Sequence, residues 1–355
     1  MRIERRNTRQ VKVGALSIGS ESRIAVQSMS NVPATDIEGC VKQALKMQEA
    51  GCDIFRFAVP TKEAAAVFYA AKEAGVTMPL VADIHFDYKI ALECAAAGAD
   101  KIRINPGNIG SDENVRAVVN ACREKGLPIR IGVNSGSLEK EILAKYGSPT
   151  PEALAESALY HASLLEKFDF YDTVISIKSS NSKNVVAANR VLAEKCDYPL
   201  HIGVTEAGSA YMGVLKSAVG IGSLLTDGIG DTVRVSLTAD PVNEIKAAKD
   251  ILKAVGYNES GVSLVSCPTC GRTQIDLIGL VNEFESRQSE IKITRPITVA
   301  LMGCAVNGPG EAREADIGIA GGKGEALLIK KGQIIRKIGE ERIISELIDE
   351  INKML

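Results

Sequence analysis

Three cysteines near the C-terminus have the residue type and spacing of soft metal ligands. Cys267 and Cys270 form a Cys-x-x-Cys pair, and Cys304 lies in a Gly/Pro-rich stretch that ends at Glu311. A Cys-x-x-Cys turn directs two thiolates at one centre, and thiolates select iron–sulfur clusters, zinc or copper(I). A four-iron cluster requires four protein ligands. Glu311 is the first acidic residue after Cys304, which makes it the candidate for the fourth ligand.

The same cysteines also fit two simpler sites. A Cys-x-x-Cys pair is typical of a thiol redox centre or of half a zinc site. A structural zinc site has four closed ligands, however, and the sequence has no second Cys-x-x-Cys or His pair. A redox pair would leave Cys304 and Glu311 without a role. The spacing therefore favours a metal centre, with an iron–sulfur cluster preferred over zinc. The missing run of close-set cysteines argues against a simple ferredoxin.

The composition is that of an ordinary globular protein with no general affinity for polyanions. The chain has 355 residues, of which 45% are hydrophobic and 24% charged, with a net charge of −2. That charge argues against nucleic-acid and anionic-membrane partners. The N-terminus lacks the apolar run of a signal peptide, and no stretch approaches the roughly 20 apolar residues of a membrane span. We expect a reducing cytoplasm and buried thiols at Cys40, Cys52, Cys94, Cys122 and Cys196.

The order of the predicted elements indicates an α/β protein with a (β/α)₈ TIM barrel. After a predicted hairpin at residues 10–13 and 15–18, short β-rich runs alternate with helical stretches. Eight such units in about 240 residues fit a closed barrel better than an open doubly wound sheet. The predicted strands are 24–29, 54–60, 80–86, 101–106, 129–134, 173–179, 200–206 and 231–238. The predicted helices include 36–50, 62–74, 112–125, 151–167 and 241–255.

The pattern changes after a break at residues 256–261. The chain beyond it reads as a smaller α+β domain that carries the three cysteines. We predict domains at 1–258 and 259–355. The predicted elements of the second domain are strands 262–266, 296–302, 315–320 and 326–336, with helices 273–288 and 340–354.

Basic side chains occupy the polar face of the predicted barrel strands. Alternate residues of a strand point to opposite faces, and charges inside a barrel are costly unless they are paired or bind something. Barrel active sites form at the carboxyl ends of the strands, and arginine binds phosphate oxygens two at a time. We interpret five cations there as a site for a small polyanion, most simply one with two phosphates: Arg56, Arg103, Arg130, Lys178 and Arg234.

Three further side chains are weighed between a chemical and a structural role. Glu206 ends the seventh predicted strand beside the basic residues, where a carboxylate could act as a general acid or base. A salt bridge to one of the arginines explains Glu206 as well, and from the residues alone that explanation is slightly preferred. His161, in the middle of a helix, and His201, at the start of a strand, are predicted to be structural.

Several stretches of the sequence closely resemble the 4-hydroxy-3-methylbut-2-enyl diphosphate synthase family of the non-mevalonate isoprenoid pathway. The match runs in order from about residue 5 to 325 and includes both cysteine motifs. Ser135 and Ser209 depart from the usual Ala and Gly of the family, and the long middle domain of the plant-type enzymes is missing. The matching stretches are VQSM at 26–29, VADIHFD at 81–87, RINPGNIG at 103–110, RIGVN at 130–134, GSLE at 136–139, TEAG at 205–208, GIGDT at 228–232 and RVS at 234–236.

This resemblance implies a two-domain bacterial iron–sulfur oxidoreductase. It implies a [4Fe–4S] cluster on Cys267, Cys270, Cys304 and Glu311, and 2-C-methyl-D-erythritol 2,4-cyclodiphosphate as the substrate in the barrel mouth. Two one-electron reductions would open the cyclic diphosphate and expel a hydroxyl as water, with the proton supplied by Glu206. The implied substrate-binding residues are Arg56, Arg103, Arg130, Asn134, Lys178, Arg234, Ser236 and Asn307, with Asp83 and His85 beside the substrate.

The resemblance also implies partners. Electrons would come from a ferredoxin or a flavodoxin, and the cluster domain of one subunit would cap the barrel of the other in a head-to-tail homodimer. Two other hypotheses stay open at this point. One is a barrel that binds a pterin or a phosphosugar and carries a zinc-stabilised appendage. The other is an iron-regulated nucleic-acid-binding protein, against which the near-neutral charge argues.

Overall fold

The computed structural model describes residues 3–136, 138–257, 261–306 and 308–355. Within it the chain divides into two compact units, Met1–Gly256 and Tyr257–Leu355. The boundary predicted from the sequence, between residues 258 and 259, lies outside the described residues. The two units are described separately below.

The first unit is built on an eight-stranded parallel sheet, as the sequence predicts. The first six strands pair with one another in chain order. The eighth strand pairs with the first, and the seventh pairs with the eighth. A bridge between Ile175 and Leu200 connects the two ends of the sheet and closes the barrel. Preceding the barrel strands are β1 (Val11–Val13) and β2 (Leu16–Ile18); the barrel strands are β3 (Ala25–Met29), β4 (Ile54–Ala58), β5 (Leu80–Asp83), β6 (Lys101–Ile104), β7 (Ile129–Asn134), β8 (Thr173–Lys178), β9 (His201–Ile202) and β10 (Thr232–Val233).

Helices connect successive barrel strands. Six of them begin with a side-chain cap that accepts hydrogen bonds from backbone N–H groups of the first turn: Asp36, Asp87, Thr150, Asn181, Ser209 and Asp240. The predicted helix 62–74 starts instead with a 3₁₀ turn at Glu63–Ala65. The helices are α1 (Ile37–Glu49), α2 (Ala66–Glu73), α3 (Tyr88–Ala96), α4 (Asp112–Lys125), α5 (Lys140–Tyr146), α6 (Pro151–Glu166), α7 (Ser182–Lys195), α8 (Ala210–Thr226) and α9 (Pro241–Val255).

The hairpin β1–β2 packs on barrel-strand residues near the amino ends of the strands. Val13 and Ile18 form an apolar cluster with Ile54 and Val81 of the barrel, and all four are buried. Val81 is two residues before Asp83, so it lies on the same face of β5 but nearer the amino end. Apolar side chains therefore fill part of this end of the barrel, and the polar side chains of the cavity lie in the carboxyl half.

The second unit is a five-stranded sheet with helices on both faces. Three strands run parallel and the last two antiparallel, and neighbours in the sheet follow the order of the chain. The C-terminal helix, Ile343–Asn352, buries an apolar stripe in the larger core of this unit. The elements are β11 (Gly261–Ser266), α10 (Leu277–Ser286), β12 (Pro296–Met302), α11 (Gly308–Glu311), β13 (Ile317–Gly322), β14 (Glu325–Lys330), β15 (Gln333–Gly339) and α12 (Ile343–Asn352).

One predicted strand of the second unit is wrong. Residues 326–336 form two antiparallel strands, because the chain reverses at Lys331 and Gly332. Both residues have positive φ, 48° and 76°, which a continuous strand does not allow. The apolar run on both sides of the turn hid this reversal from the sequence pattern.

The cysteines outside the candidate metal motif are free thiols. Cys40, Cys52, Cys94 and Cys122 are buried, as predicted, whereas Cys196 is only partly buried. Burial raises the pKa of the Cys52, Cys94 and Cys122 thiols to about 12. Within the described residues, none of the helices has the length and apolar character needed to span a bilayer.

Candidate anion-binding pocket and candidate metal centre

A polar cavity opens among the carboxyl halves of the barrel strands. It encloses about 450 Å³ of space, part of which is open to solvent. Eight of the residues proposed from the sequence line it together, and Gly132, Ser176 and Thr205 complete the lining. The eight are Arg56, Asp83, His85, Arg103, Arg130, Asn134, Lys178 and Arg234.

Asp83 links two of the cavity arginines. Its carboxylate accepts a 3.0 Å hydrogen bond from Arg103 Nη1 and lies 3.5 Å from Arg56 Nε. Burial alone would raise the pKa of Asp83, but the neighbouring arginines outweigh it and lower the pKa to about 2. Asp83 is therefore ionised and holds both guanidinium groups in place. Arg103 Nη1 is also 3.4 Å from His85 Nδ1, which places the imidazole at the same corner.

Gly132 leaves room for the Arg103 guanidinium. A Cβ atom at this position would lie 2.5 Å from Arg103 Nε, well inside van der Waals contact. Arg103 Nη2 donates a 2.9 Å hydrogen bond to the Gly132 carbonyl oxygen. The glycine in the RIGVN motif thus lets an arginine of β6 lie flat against β7.

Arg234 is held by a carboxylate that the sequence pattern did not reveal. Glu244, in the first turn of α9, places Oε2 3.5 Å from Arg234 Nε. The same carboxylate accepts hydrogen bonds from Ser28 Oγ at 2.7 Å and from the Leu237 N–H at 3.1 Å. Glu244 is 4% exposed, so an ionised carboxylate here requires these partners. The signal in the sequence is an acidic residue one turn into a helix that follows a barrel strand, which is too common to be informative.

Met29 is a second contact that the sequence did not indicate. Arg56 Nε lies 3.1 Å from the Met29 sulfur, and Arg234 Nη1 lies 3.7 Å from it. The thioether therefore separates two like charges and supplies a weak acceptor to each. Met29 belongs to the VQSM stretch, whose match to the family was the only sign of a role.

The cavity carries more positive than negative charge. Five cationic side chains share the two buried carboxylates, Asp83 and Glu244, among the described residues of the barrel interior. Burial and the mutual repulsion of the cations lower the pKa of Arg56 to about 10 and hold that of Lys178 well below its usual value. Arg130 Nε and Nη1 are buried and have no hydrogen-bond partner in the described structure. Such a cavity is suited to a ligand with several negative charges.

Glu206 and Ser236, two further proposed site residues, are not part of the cavity lining. Glu206 is exposed, with a positive φ of 50°, and makes no hydrogen bond or ion pair with the described residues. The predicted alternative, a salt bridge between Glu206 and an arginine, is therefore not seen there. Ser236 is partly buried just after β10. Asn307 lies outside the described residues.

His161 connects two loops at the carboxyl ends of the strands. Its Nδ1 accepts a 3.2 Å hydrogen bond from the Gly107 N–H, and its Nε2 pairs with the Glu139 carboxylate. An accepting Nδ1 requires the proton on Nε2, so the imidazole is bound as one neutral tautomer. The contacts are those of a structural histidine, which is the role predicted for it.

In the second unit, the two cysteine-bearing segments leave neighbouring strands at the same end of the sheet. The parallel pairing of β11 with β12 sets Ser266 beside Leu301, so Cys267 and Gly303 follow the two strands side by side. The Gly303 N–H donates a 3.2 Å hydrogen bond to Cys267 Sγ. Carboxyl ends of adjacent parallel strands meet at one edge, which is why residues so far apart in sequence lie together here.

Arg272 lies near all three cysteines. Its backbone N–H and its guanidinium both donate to the Cys270 sulfur and lower the pKa of that thiol. In turn, the pKa of Arg272 is raised by its hydrogen bond to Cys270 and by the charges of Cys270, Cys304 and Cys267. Cys304 is 6% exposed, Cys267 is partly buried and Cys270 is exposed. A thiol next to N–H donors is readily deprotonated, as a metal ligand must be.

Glu311 ends the short helix α11 and is exposed. The helix starts close to Cys304, whose carbonyl oxygen accepts a 3.2 Å hydrogen bond from the Gly308 N–H. A Cβ at Gly308 would lie 2.9 Å from Ala320 Cβ and 3.0 Å from Met302 Cβ, so only glycine lets α11 lie this close to the sheet. Glu311 follows Cys304 closely in the sequence, and the tight packing at Gly308 fixes the start of the helix that carries it.

The donor set fits an iron–sulfur cluster in its chemistry. Thiolates and N–H donors directed at a cysteine sulfur are typical of such sites, and Glu311 would supply an oxygen ligand in place of a fourth thiolate. In the part of the chain that the structure describes, no three His, Cys, Asp or Glu side chains converge closely enough to hold one metal ion. A four-iron cluster does not require such convergence, because each of its ligands binds a different iron atom.

These observations define the class of the protein: a (β/α)₈ barrel with a cationic cavity for a small anionic ligand, joined to a unit with a thiol-rich turn cluster. The model of the GcpE TIM-barrel domain matches residues 8–249, and that of the GcpE protein C-terminal domain matches residues 263–353. The chain belongs to the GcpE family.

Curated relatives match over nearly the whole chain. A protein of Clostridium perfringens is 58% identical over 98% of this chain and 98% of its own length. One of Ruminiclostridium cellulolyticum is 55% identical over 99% of each. Both are named 4-hydroxy-3-methylbut-2-en-1-yl diphosphate synthase (flavodoxin).

Two solved structures resemble this chain at a low sequence identity, which shows a shared fold alone. A type I 3-dehydroquinate dehydratase of Clostridium difficile has a TM-score of 0.51 at 17% identity and covers 70% of this chain and 98% of its own. A dihydropteroate synthase of Stenotrophomonas maltophilia has a TM-score of 0.50 at 17% identity, covering 69% and 96%.

Proposed function

We propose that this protein catalyses the reductive ring opening and dehydration of 2-C-methyl-D-erythritol 2,4-cyclodiphosphate to 4-hydroxy-3-methylbut-2-enyl diphosphate. The observation that carries the proposal is the excess of cationic side chains at the carboxyl ends of the barrel strands in a chain of the GcpE family. Near-full-length identity of 58% to a relative with this activity in its name supports it.

The reaction sets three requirements. The cyclic diphosphate dianion takes up two electrons and one proton, one carbon–oxygen bond to the diphosphate opens, and a hydroxyl leaves as water. The product is an allylic diphosphate with three negative charges. The protein must therefore bind a diphosphate whose negative charge rises, deliver a proton to an oxygen, and bring a source of single electrons.

The barrel cavity meets the first requirement. Arg56 and Arg103 are fixed by Asp83, and Arg234 is fixed by Glu244, so their guanidinium groups are preorganised before a ligand arrives. Preorganised charges stabilise developing negative charge without reorganising during the reaction. Arg130 and Lys178, with Asn134, complete the proposed diphosphate site, and His85 and Ser236 are proposed to contact the same ligand.

We assign the proton to Glu206. It follows Thr205, which lines the cavity, so a carboxyl at this position is one residue from the proposed substrate site. Its left-handed backbone, at φ 50°, is a sparsely populated conformation for a glutamate and is of the kind found at functional sites. As a general acid it would protonate the departing oxygen. Asn307, in the second unit, is proposed to bind the substrate from the cluster side.

The second unit is proposed to hold the electron source. Cys267, Cys270, Cys304 and Glu311 would hold a [4Fe–4S] cluster, which supplies single electrons and a Lewis-acidic iron when bound. Glu311 is the exchangeable ligand in this set, because a carboxylate binds iron less tightly than thiolates do. We propose flavodoxin as the donor, since the relatives carry it in their names. A cytoplasmic location fits the free thiols.

We also propose that the protein acts as a head-to-tail homodimer, in which each barrel works with the cluster unit of the other subunit. A mixed dimer tests this arrangement. Arg234→Ala weakens the anion site and Cys270→Ser removes a cluster ligand, so each homodimer should be strongly impaired at low substrate concentration. If the units work across subunits, each mixed dimer keeps one intact site of two and should recover about half of the activity of the unmodified dimer. Full activity of a monomer in sedimentation would contradict the proposal.

The experiment that tests the function is anaerobic purification followed by two assays. Iron and acid-labile sulfide should approach about four of each per chain. The reduced protein should then convert the cyclodiphosphate to the allylic diphosphate, as detected by mass spectrometry. Stoichiometric zinc without sulfide, or a loaded protein that leaves the cyclodiphosphate unchanged, would overturn the proposed function.

A further inference from the structure

A layer of buried polar side chains lies one step deeper in the barrel than the cavity. Gln27, Lys101, His201 and Thr232 are each at most 1% exposed. Gln27, Lys101 and Thr232 are two residues before Met29, Arg103 and Arg234 respectively, and so occupy the same inner faces nearer the amino ends of the strands. None of the four lines the cavity itself.

The polar atoms of this layer are largely without partners. Lys101 Nζ, His201 Nε2 and both amide atoms of Gln27 are buried and make no hydrogen bond within the described structure. Only His201 Nδ1 has a partner there, Thr232 Oγ1 at 2.8 Å. Buried polar atoms without partners are costly, so a layer of them calls for a functional explanation.

Of the four side chains in this layer, Lys101 has the highest free-energy cost of burial, because it is the one that carries a full charge when protonated at neutral pH. The charged groups that act on it from other strands are Arg130 and Arg56, and its own charge in turn acts on the imidazole of His201. The carboxylate of Asp83 is already shared by Arg56 and Arg103. Burial, followed by the charges of Arg130 and Arg56, holds the pKa of the Lys101 amine well below its usual value. Protonating an unpaired amine that is buried among like charges is costly, so an anion in the cavity favours its protonation.

We propose that Lys101 is a proton-binding residue linked to the anion site: it takes up one proton from solvent when an anionic ligand fills the cavity and releases it when the ligand leaves. The proton adds to the lone pair of Nζ and no other bond changes. A proton needs no cavity of its own, which fits a tightly packed layer. This inference rests on the proposed function, because it requires a polyanionic ligand beside Arg130 and Arg56.

The physical reason is charge compensation through the arginines. A unit charge about 10 Å away shifts a pKa by roughly one unit at an effective dielectric constant of about 20. A dianion that neutralises the field of Arg56 and Arg130 therefore raises the pKa of Lys101. Linkage then fixes the sign for the ligand: binding takes up a proton, and affinity falls as pH rises through the Lys101 pKa of the complex.

The test is calorimetric titration of the full-length, anaerobically purified protein with 2-C-methyl-D-erythritol 2,4-cyclodiphosphate near pH 8. This ligand suits the purpose because each of its phosphates carries a single, strongly acidic hydroxyl and exchanges no proton near neutrality. Repeating the titration in buffers of different ionisation enthalpy gives the number of protons taken up. We expect uptake of at least about one proton per site, because Lys178 in the cavity can contribute as well as Lys101.

Two variants assign the proton. Lys101→Met should still bind the ligand but take up about one proton fewer per site than the unmodified protein, and Lys101→Gln should behave in the same way. Both remove an unpaired buried amine, so they should fold, as circular dichroism can verify. Lys246→Met, at an exposed position of α9, should keep the full uptake.

The outcomes separate this inference from the proposed function. Binding without proton uptake, or undiminished uptake in Lys101→Met and Lys101→Gln, would overturn the role of Lys101. Uptake that is lost in His201→Gln but kept in both Lys101 variants would overturn it as well and assign the proton to the imidazole. No binding of the cyclodiphosphate by the unmodified, iron-loaded protein would overturn the proposed function, and this inference with it.

Discussion

Glu244 on α9 holds Arg234 at the mouth of the barrel, with Oε2 3.5 Å from the arginine Nε. The same oxygen accepts a 2.7 Å hydrogen bond from Ser28 Oγ of β3, so one carboxylate connects the first barrel strand, the chain after the last one and the helix that follows. Glu244 thus sets the orientation of the Arg234 side chain from outside the cavity. Glu244 therefore positions Arg234 and does not itself line the cavity.

The first prediction concerns this pair. Arg234→Ala should mainly weaken binding of the cyclodiphosphate, by about 2 kcal/mol, because a charge-assisted hydrogen bond to phosphate is lost. Glu244→Gln should weaken binding by a smaller amount, since Arg234 remains but is held less firmly. Calorimetric Kd values measure both effects. Asp250→Asn, exposed on the same helix, is the matched control. Native affinity of Arg234→Ala would remove this residue from the phosphate site.

The second prediction separates proton delivery from binding. Glu206→Gln keeps the size of the side chain but cannot donate an acidic proton, so substrate affinity and iron content should be unchanged. Turnover should fall by about 10²-fold or more, the usual contribution of a general acid. Glu194→Gln, at an exposed position of α7, should turn over normally. A fully active Glu206→Gln enzyme would show that another group supplies the proton.

The third prediction concerns the cluster ligands. Cys304→Ser should lower iron and sulfide well below four of each per chain after anaerobic reconstitution, because a serine hydroxyl is a poor ligand for iron in a cluster. Glu311→Gln should give a cluster that is present but lost more quickly in air. Cys196→Ser, a partly buried thiol of the barrel, serves as the control and should retain full iron content. Full iron in Cys304→Ser would exclude this cysteine from the ligand set.

The fourth prediction follows from the low pKa of Asp83, about 2 in the folded protein against an ordinary value near 3.9. A lowered pKa means that the ionised carboxylate stabilises the fold above about pH 4, and that this contribution disappears as pH falls towards 2. Asp83→Asn should therefore lower the free energy of unfolding by about 3 kcal/mol at pH 6, because two buried guanidinium groups lose their partner.

Urea unfolding followed by circular dichroism measures this effect across pH. The difference between the unmodified protein and Asp83→Asn should shrink steadily between about pH 4 and pH 2. Asp250→Asn should show no such pH-dependent difference. A constant gap at all pH values would mean that Asp83 is not ionised through its contact with Arg56 and Arg103.

Much of the barrel could be predicted because its signals are local. A strand shows its inner face through every second residue, so the alternation of residue types is enough to place Arg103 and Arg130 inside the barrel. The cavity lining confirms that they face one space together with Lys178. The predicted strand runs across the turn at Lys331 and Gly332 because apolar residues lie on both sides of it, although the glycine is a local turn signal.

The sequence by itself determined the alternation of strands and helices, the polar inner faces and the spacing of Cys267, Cys270 and Cys304. Only the tertiary structure decided which charges meet: that Asp83 serves two arginines, that Glu244 rather than Glu206 pairs with Arg234, and that Lys101 has no partner among the described residues. The physical reason is distance along the chain. Periodicity and spacing are set within a few residues, whereas the partner of a buried charge is set by barrel closure, which brings together residues from opposite ends of the sequence.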